Sequence, residues 1–221
     1  MIWETDITIL EAPAFPTGSA GFGPIVKRWT TDEYHKMIDL GLITEGAPIE
    51  LIDGMLVYKD RRDSGGRAMT QGSRHNLAVA QLVQLNSILD TLGFHIRIQS
   101  SITVSPSHEP EPDGVVFPER PVHIRGRLPS SSEAVLVIEV ADASLDFDRT
   151  VKRRMYATAS IEIYWIVNLR DNIVEVRRRP DTLTGHYLEH QDYRLGDGIP
   201  LELPGTTLVH VPVDQIIVDA A

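Results

Sequence analysis

An almost unbroken apolar run at residues 134–140 constrains the fold of this chain more than any other feature. A strand with one wet face alternates apolar and polar residues, whereas a continuous run is expected of a strand buried on both faces. Such a strand needs other elements packed on each side of its sheet. One carboxylate, Glu139, interrupts the run, and an ionised group there is costly to bury unless it is paired or binds a cation.

Helices and further strands are predicted around this buried strand. A short helix starts near Thr31 and stops at Gly41, and a long one with leucines at helical spacing runs from Ser73 to about Leu92. Another helix follows the buried strand, from Asp148 to about Ser160. The predicted strands cover residues 49–52, 55–58, 94–104, 114–117, 161–167 and 173–177, with one or two short strands in the tail. Asp53-Gly54 predicts a tight hairpin turn between the first two. This order predicts an α/β fold in which helices flank a mixed sheet.

The length and composition indicate one domain with an added arm. A chain of 221 residues fits one compact domain. Residues 1–28 are rich in Pro and Gly and predict an extended N-terminal arm that can pack on a partner subunit, which leaves residues 29–221 as the domain. There is no cysteine, so disulfides, zinc–thiolate sites and thiol nucleophiles are excluded. The sequence has neither a signal-type leader nor a long apolar span, and we expect a cytoplasmic protein with no membrane segment.

Charge is distributed unevenly along the chain. The formal net charge of -10 counts against a protein that coats nucleic acid non-specifically. Residues 59–179 nevertheless carry 17 basic and 15 acidic side chains, so the middle of the chain is slightly positive. A local electropositive face is one interpretation, and solvated surface arginines are the other.

Two carboxylates and a lysine form the candidate site. Asp113 directly precedes the apolar run at 114–117, as Glu139 lies within its own run. Helical spacing places Lys152 beside the face that packs on the sheet, with Arg149 and Arg153 pointing further away. A helix that packs back onto its preceding strand would aim the Lys152 ammonium at Glu139. Read singly, each acid is as easily a salt-bridged residue, and the lysine an ion-paired surface residue.

Together these residues resemble a known family. The motif Glu111-Pro112-Asp113 is followed by Glu139, and then by a lysine and a tyrosine on the next helix. Further matching motifs are Arg28 to Tyr34, Glu50 to Gly54, His75 and Glu162 to Val167. This order is similar to the Uma-type family of putative restriction endonucleases, within the PD-(D/E)XK nuclease superfamily, and it covers roughly residues 28 to 218.

The resemblance implies a restriction-endonuclease-like core and hydrolysis of DNA phosphodiester bonds with Mg²⁺ or Mn²⁺. It implies Asp113, Glu139 and Lys152 as catalytic residues, and it gives the metal to Asp113, Glu139 and the backbone carbonyl of Val140. Oxygen ligands of this kind suit both ions. Because the strands of DNA are related by two-fold symmetry, we also expect a homodimer.

One departure from the superfamily pattern leaves other functions open. The usual lysine stands two residues after the glutamate, where this chain has Ala141, and the resemblance implies that Lys152 replaces it. A non-catalytic DNA-binding or regulatory domain that keeps the nuclease fold is the main alternative. A metal-dependent hydrolase of a small phosphorylated substrate is another.

Two further residues are candidate supporting groups. Glu50 matches an acidic position of the family. It is either a metal ligand or a residue that contacts a ligand, or else an exposed residue beside a hairpin turn. His75 either contacts a phosphate or is a surface or helix-cap histidine. Asp142 and Asp146 are interpreted first as turn and cap residues.

Overall fold

A computed structural model describes residues 26–59, 73–118 and 127–218, so nearly all of the predicted arm lies outside the described residues. The helices are α1 (Thr31–Asp39), α2 (Ser73–Leu82), α3 (Asn86–Leu89), α4 (Leu145–Phe147) and α5 (Arg153–Thr158). A π-helical turn, Asp148–Lys152, joins α4 to α5. The strands are β1 (Ile49–Ile52), β2 (Met55–Tyr58), β3 (Phe94–Ile98), β4 (Gly114–Pro118), β5 (Leu136–Ala141), β6 (Ile163–Asn168), β7 (Ile173–Asp181), β8 (His186–Arg194), β9 (Gly198–Leu201) and β10 (Val209–Pro212).

The centre of the fold is a mixed six-stranded sheet with the order β3-β4-β5-β6-β7-β8. Its strands pair antiparallel except for β5 and β6, which are parallel. A parallel pair needs a crossover connection, and the helical segment α4–π–α5 provides it. This connection places the helix after β5 back on the sheet. The predicted α/β fold with a mixed sheet flanked by helices is confirmed.

The strand β5 is buried on both faces, as its apolar run predicts. On one face Ile138 packs in a core with Leu82 of α2 and Trp165 of β6. On the other face Val137 packs in a core with Tyr156 of α5 and Tyr164 of β6. The two layers leave every residue of β5 buried, Glu139 included. A charged group at this position therefore needs partners inside the protein.

Three local predictions are confirmed, the two helices with small changes. Asp53 and Gly54 connect β1 to β2 with positive φ angles of 50° and 68°, the conformation of a tight hairpin turn. The long helix predicted from Ser73 is α2, α3 and two 3₁₀ turns, and it ends at Leu92 before a left-handed Gly93. The helix α1 is capped by Thr30 rather than Thr31, because Glu33 completes a capping box with Thr30.

Two strand predictions were wrong in extent. The strand predicted over 94–104 ends at Ile98, where Gln99 turns the backbone with a φ of 45°. The chain then bridges β1 through Leu51 and Glu109 before it reaches Asp113. The tail has three strands, β8 to β10, where one or two were expected. The strand β8 gives little apolar signal because it is an edge strand with mostly exposed side chains. None of the described helices is both long and apolar enough to cross a membrane.

Candidate active site

Two neighbouring strands bring Asp113 and Glu139 together. The β4–β5 register pairs Gly114 with Ile138, so Asp113 lies one residue before β4 at the level of Glu139. The Oδ2 atom of Asp113 accepts a hydrogen bond of 2.9 Å from the backbone N–H of Val140. Both carboxylates are 3% exposed. Asp113 is thereby fixed to β5 by a side-chain bond that extends the ladder between the strands.

Lys152 reaches the same place from the helical segment. Its Nζ atom lies 2.9 Å from Glu139 Oε1 and 3.3 Å from Glu50 Oε1. It also lies 4.0 Å from Asp148 Oδ1. Turns with π-helical hydrogen bonds are rare and are frequent at functional sites, and here the π turn ends at Lys152 itself. The lysine is a buried ion-paired residue and not a surface one.

Glu50 also belongs to this cluster. It is 2% exposed, although it stands beside a hairpin turn. Its Oε1 atom accepts a hydrogen bond of 2.8 Å from the N–H of Glu111, in addition to its contact with Lys152. Lys59 secures the same loop, because its Nζ atom donates to the carbonyl of Glu111 at 2.7 Å. The backbone pairing between β1 and the loop before Asp113 therefore places Glu50 in the site.

His75 approaches Asp113 from the start of α2. Its Nε2 atom lies 3.3 Å from Asp113 Oδ2, and its side chain is 19% exposed. The ring is therefore neither a helix cap nor a surface group. Its Nδ1 atom is buried without a hydrogen-bond partner among the described residues.

Sequence reasoning missed the roles of two residues on the helical segment. The Oδ2 atom of Asp148 accepts a hydrogen bond of 2.7 Å from Ser144 Oγ, and its Oδ1 faces Lys152. The hydroxyl of Tyr156 donates a hydrogen bond of 2.7 Å to Glu139 Oε1. Asp148, Lys152 and Tyr156 follow each other at a spacing of four residues, and this spacing was the signal available in the sequence.

The site contains more buried negative than positive charge. Glu50, Asp113, Glu139 and Asp148 are all buried, against one buried ammonium. Burial, with the nearby carboxylates, raises the pKa of Glu139 to about 8 despite Lys152. In the same way burial raises the pKa of Asp148 to about 6. The unrelieved negative charge favours either protons or a cation in the site.

Two other groups of the cluster are held in their charged forms. Burial opposes ionisation of Asp113, but His75 and the Val140 N–H outweigh it and the pKa of Asp113 is lowered. Burial likewise opposes the charge on Lys152, yet Glu139, Glu50 and Asp148 raise the pKa of Lys152 well above its ordinary value. An ammonium and at least one carboxylate are therefore charged at neutral pH.

The free oxygens of the cluster suit a divalent cation. Asp113 Oδ1 is buried and has no hydrogen-bond partner among the described residues. The hydrogen bonds that the described residues make to Glu139 and Glu50 reach only Oε1 of each. Carboxylate oxygens are the ligands that Mg²⁺ and Mn²⁺ prefer. The contact of Val140 at this site is made by its N–H, which donates to Asp113.

Another carboxylate–imidazole group lies further along the sheet. Glu175, His190 and Asp192 present ligand-type atoms within 4.8 Å of one another. The register runs from Glu139 through Ile166 to Glu175, so the two glutamates share a face of the sheet about 10 Å apart. Glu175 is saturated by the donors Arg149, Arg177 and Asn168. No carboxylate oxygen of Glu175 is left without a donor.

Comparison with known proteins gives the family. The Uma2 model, described as "Putative restriction endonuclease", matches residues 31–212. The chain belongs to this family. The matched range contains every residue of the candidate site described above. No curated protein matches the chain.

A solved structure supports the fold. A putative nuclease belonging to DUF820 from Anabaena variabilis has a TM-score of 0.59 to this Uma2 protein at 17% sequence identity. The similarity covers 88% of this chain and 98% of the other. At this identity the likeness shows a common fold.

Proposed function

We propose that this protein is a divalent-metal-dependent endonuclease that hydrolyses DNA phosphodiester bonds with Asp113, Glu139 and Lys152. The observation that carries the proposal is the buried Lys152 ammonium, which lies 2.9 Å from Glu139, the residue that the β4–β5 register places opposite Asp113. The family of putative restriction endonucleases supports the same reaction. In this proposal Lys152, on the helical segment, replaces the lysine that the superfamily pattern has at the position of Ala141 on the strand.

Asp113 and Glu139 would hold Mg²⁺ or Mn²⁺, with the carbonyl of Val140 as the third ligand that the resemblance implies. The free Oδ1 of Asp113 and the acidic character of the cluster fit such an ion. When bound, a divalent ion polarises the scissile phosphate and lowers the pKa of a bound water. Its charge would also offset the excess of buried carboxylates.

The remaining residues position and charge the site. Three carboxylates within 4.0 Å keep the Lys152 ammonium protonated, so its role is to hold the attacking water or stabilise charge on the phosphate, not to accept a proton. Glu50 accepts a hydrogen bond from the Lys152 ammonium and helps to hold it in place. His75 contacts the Asp113 carboxylate and helps to hold that group. These two are supporting residues in the proposal.

DNA is the proposed substrate, and the central basic residues are its proposed phosphate contacts. Because only the middle of the chain is net positive, we expect weak binding that falls steeply as salt rises. Binding that does not respond to salt would contradict this contact. A homodimer and a cytoplasmic location stay predictions from the sequence.

The test compares two aspartates in the two candidate metal groups. Mg²⁺ or Mn²⁺ should raise the melting temperature of the wild type, because an ion that binds only the folded protein stabilises it by mass action. Asp113→Asn should remove most of that shift and all detectable DNA cleavage. Asp192→Asn, in the group around Glu175, is the matched control and should keep both.

Two results would reject the assignment. If the metal-induced rise in melting temperature is unchanged in Asp113→Asn, or is lost in Asp192→Asn, the metal binds at another place. A metal shift without cleavage in the wild type would favour the alternative, a nuclease-fold binding domain, for which Ala141 is the supporting observation.

A further inference from the structure

Glu139 is held by two donors that converge on one of its oxygens. The Tyr156 hydroxyl donates at 2.7 Å and the Lys152 ammonium at 2.9 Å, and both reach Oε1. Among the described residues, no hydrogen bond reaches Oε2. The two donors come from the same helical segment, so they approach the carboxylate from one side.

Such an arrangement restricts how the carboxylate can turn. A glutamate carboxyl group rotates readily about its last side-chain torsion, which has a broad preference. Two donors on one oxygen fix that torsion and keep the second oxygen away from the helix. Tyr156 is 0% exposed, so no solvent molecule replaces its hydroxyl while the helix is in place.

We infer that Tyr156 is a positioning residue, which together with Lys152 fixes Glu139 through Oε1 and presents Oε2 to the divalent cation. This inference rests on the proposed function, because it concerns the ligand geometry of the same site. Residues that orient metal ligands through hydrogen bonds commonly change metal affinity or activity 10- to 100-fold when they are replaced. Tyr156 is assigned no contact with the reacting atoms.

The same core offers a matched control for the loss of a buried hydroxyl. Tyr187 packs in the apolar cluster that contains Tyr156, and its hydroxyl donates at 2.9 Å to the carbonyl of Ile161. Tyr156→Phe and Tyr187→Phe remove the same atom from the same core. A purely structural role predicts similar consequences for both, whereas positioning of Glu139 predicts a difference in metal affinity.

The experiment measures Mn²⁺ affinity of the full chain without DNA, by calorimetry, and then cleavage as a function of Mn²⁺ concentration. Tyr156→Phe should weaken Mn²⁺ binding about 10- to 100-fold and raise the half-saturating Mn²⁺ concentration by the same factor. Cleavage at saturating Mn²⁺ should return to within a few fold of wild type. Tyr187→Phe should leave Mn²⁺ affinity unchanged while lowering the melting temperature.

Different failures point to different errors. If the wild type binds Mn²⁺ through Asp113 and Tyr156→Phe binds it equally well, the positioning role is overturned and the proposed function stands. Equal losses of affinity in both tyrosine variants would also overturn it, as a general effect of weakened packing. Absence of Mn²⁺ binding in the wild type would overturn both proposals.

Discussion

Two buried glutamates on one face of the sheet show how differently the same side chain can be used. Glu139 on β5 and Glu175 on β7 lie two strands apart, and the same helical segment covers both. Lys152 reaches one of them and Arg149, three residues earlier, reaches the other. Each glutamate is therefore paired with a cation from the crossover helix.

The difference lies in how many donors each carboxylate receives. Guanidinium and amide groups reach both oxygens of Glu175 and outweigh its burial, so its pKa is lowered. Only Oε1 of Glu139 is engaged by the described residues, and burial raises its pKa to about 8. We therefore expect a metal ion only at the glutamate that keeps an oxygen free, whereas saturation by arginine is typical of a structural pair.

Replacing the cation of each pair should give the largest contrast. Lys152→Ala should reduce DNA cleavage by about 10²-fold or more, comparable to the loss of one preorganised donor. Metal affinity should stay the same or rise, because removing a cation that competes with the bound ion outweighs the loss of one of the two donors to Glu139 Oε1, of which Tyr156 remains. Arg149→Ala should lower the melting temperature instead and leave cleavage by the folded protein nearly unchanged. Single-turnover cleavage with calorimetric metal binding measures both.

Two more variants sharpen this contrast. Lys152→Arg should also be impaired, since a planar guanidinium does not replace a compact ammonium. Arg153→Ala, which loses a contact with His186 on β8, should cost little beyond substrate affinity. If Lys152→Ala cleaves at the wild-type rate while Asp113→Asn is inactive, Lys152 is not catalytic, and Glu50 and His75 become the next candidates.

Replacing each glutamate by glutamine should affect stability in opposite ways. Glu175→Gln removes the counter-charge of Arg177 and leaves Arg149 only Asp171, at 3.8 Å; it should cost about 3 kcal/mol, the low end for a broken buried pair because Arg149 is partly exposed. Glu139→Gln should leave the metal-free protein equally or more stable near neutral pH, because burial makes ionisation of Glu139 unfavourable in the folded state and glutamine has no proton to lose. Urea unfolding in EDTA measures both, and the reverse order would contradict the charge assignment.

The pH dependence of stability should be the smallest of these effects. Burial raises the pKa of Glu139 from its ordinary value of 4.5 to about 8, so Glu139 keeps a proton in the folded protein up to about pH 8. Over this interval the folded state holds more protons than the unfolded state, so the free energy of unfolding should fall as pH rises. Asp148, with a pKa raised to about 6, adds to this slope below that pH.

The lowered pKa of Glu175 has the opposite effect on stability. Its contribution to the free energy of unfolding is present above about pH 4.5 and is lost as pH falls. Unfolding in EDTA between about pH 5 and 8 should therefore show a slope that Glu139→Gln flattens and Glu175→Gln does not. An identical slope in wild type and Glu139→Gln would mean that Glu139 does not hold this proton.

Features with a strong local signal were predictable from the sequence. The apolar run marked β5 as doubly buried, and Asp53-Gly54 marked the β1–β2 turn. Helical spacing was enough to direct Lys152 toward Glu139, because a crossover helix must pack back on its own sheet. These predictions depend on residues close together in the chain or on a single packing rule.

Features that depend on distant parts of the chain were not predictable. The role of Glu50 was ambiguous because its environment is made by Glu111 and Lys152, far away in sequence. The saturation of Glu175 depends on donors from three elements, and β8 carries too few apolar residues to be recognised as a strand. Spacing offered Asp148 and Tyr156, but nothing local distinguished them from ordinary helix residues.

The position of Lys152 affects how members of this family are detected by sequence patterns. A sequence pattern that requires lysine two residues after the strand glutamate would reject this chain, because Ala141 stands there. Ala141 is fully buried in the apolar core. In three dimensions the ammonium is still 2.9 Å from the carboxylate. A spatial template of two carboxylates and one ammonium, free of chain spacing, would retain chains that such a pattern discards.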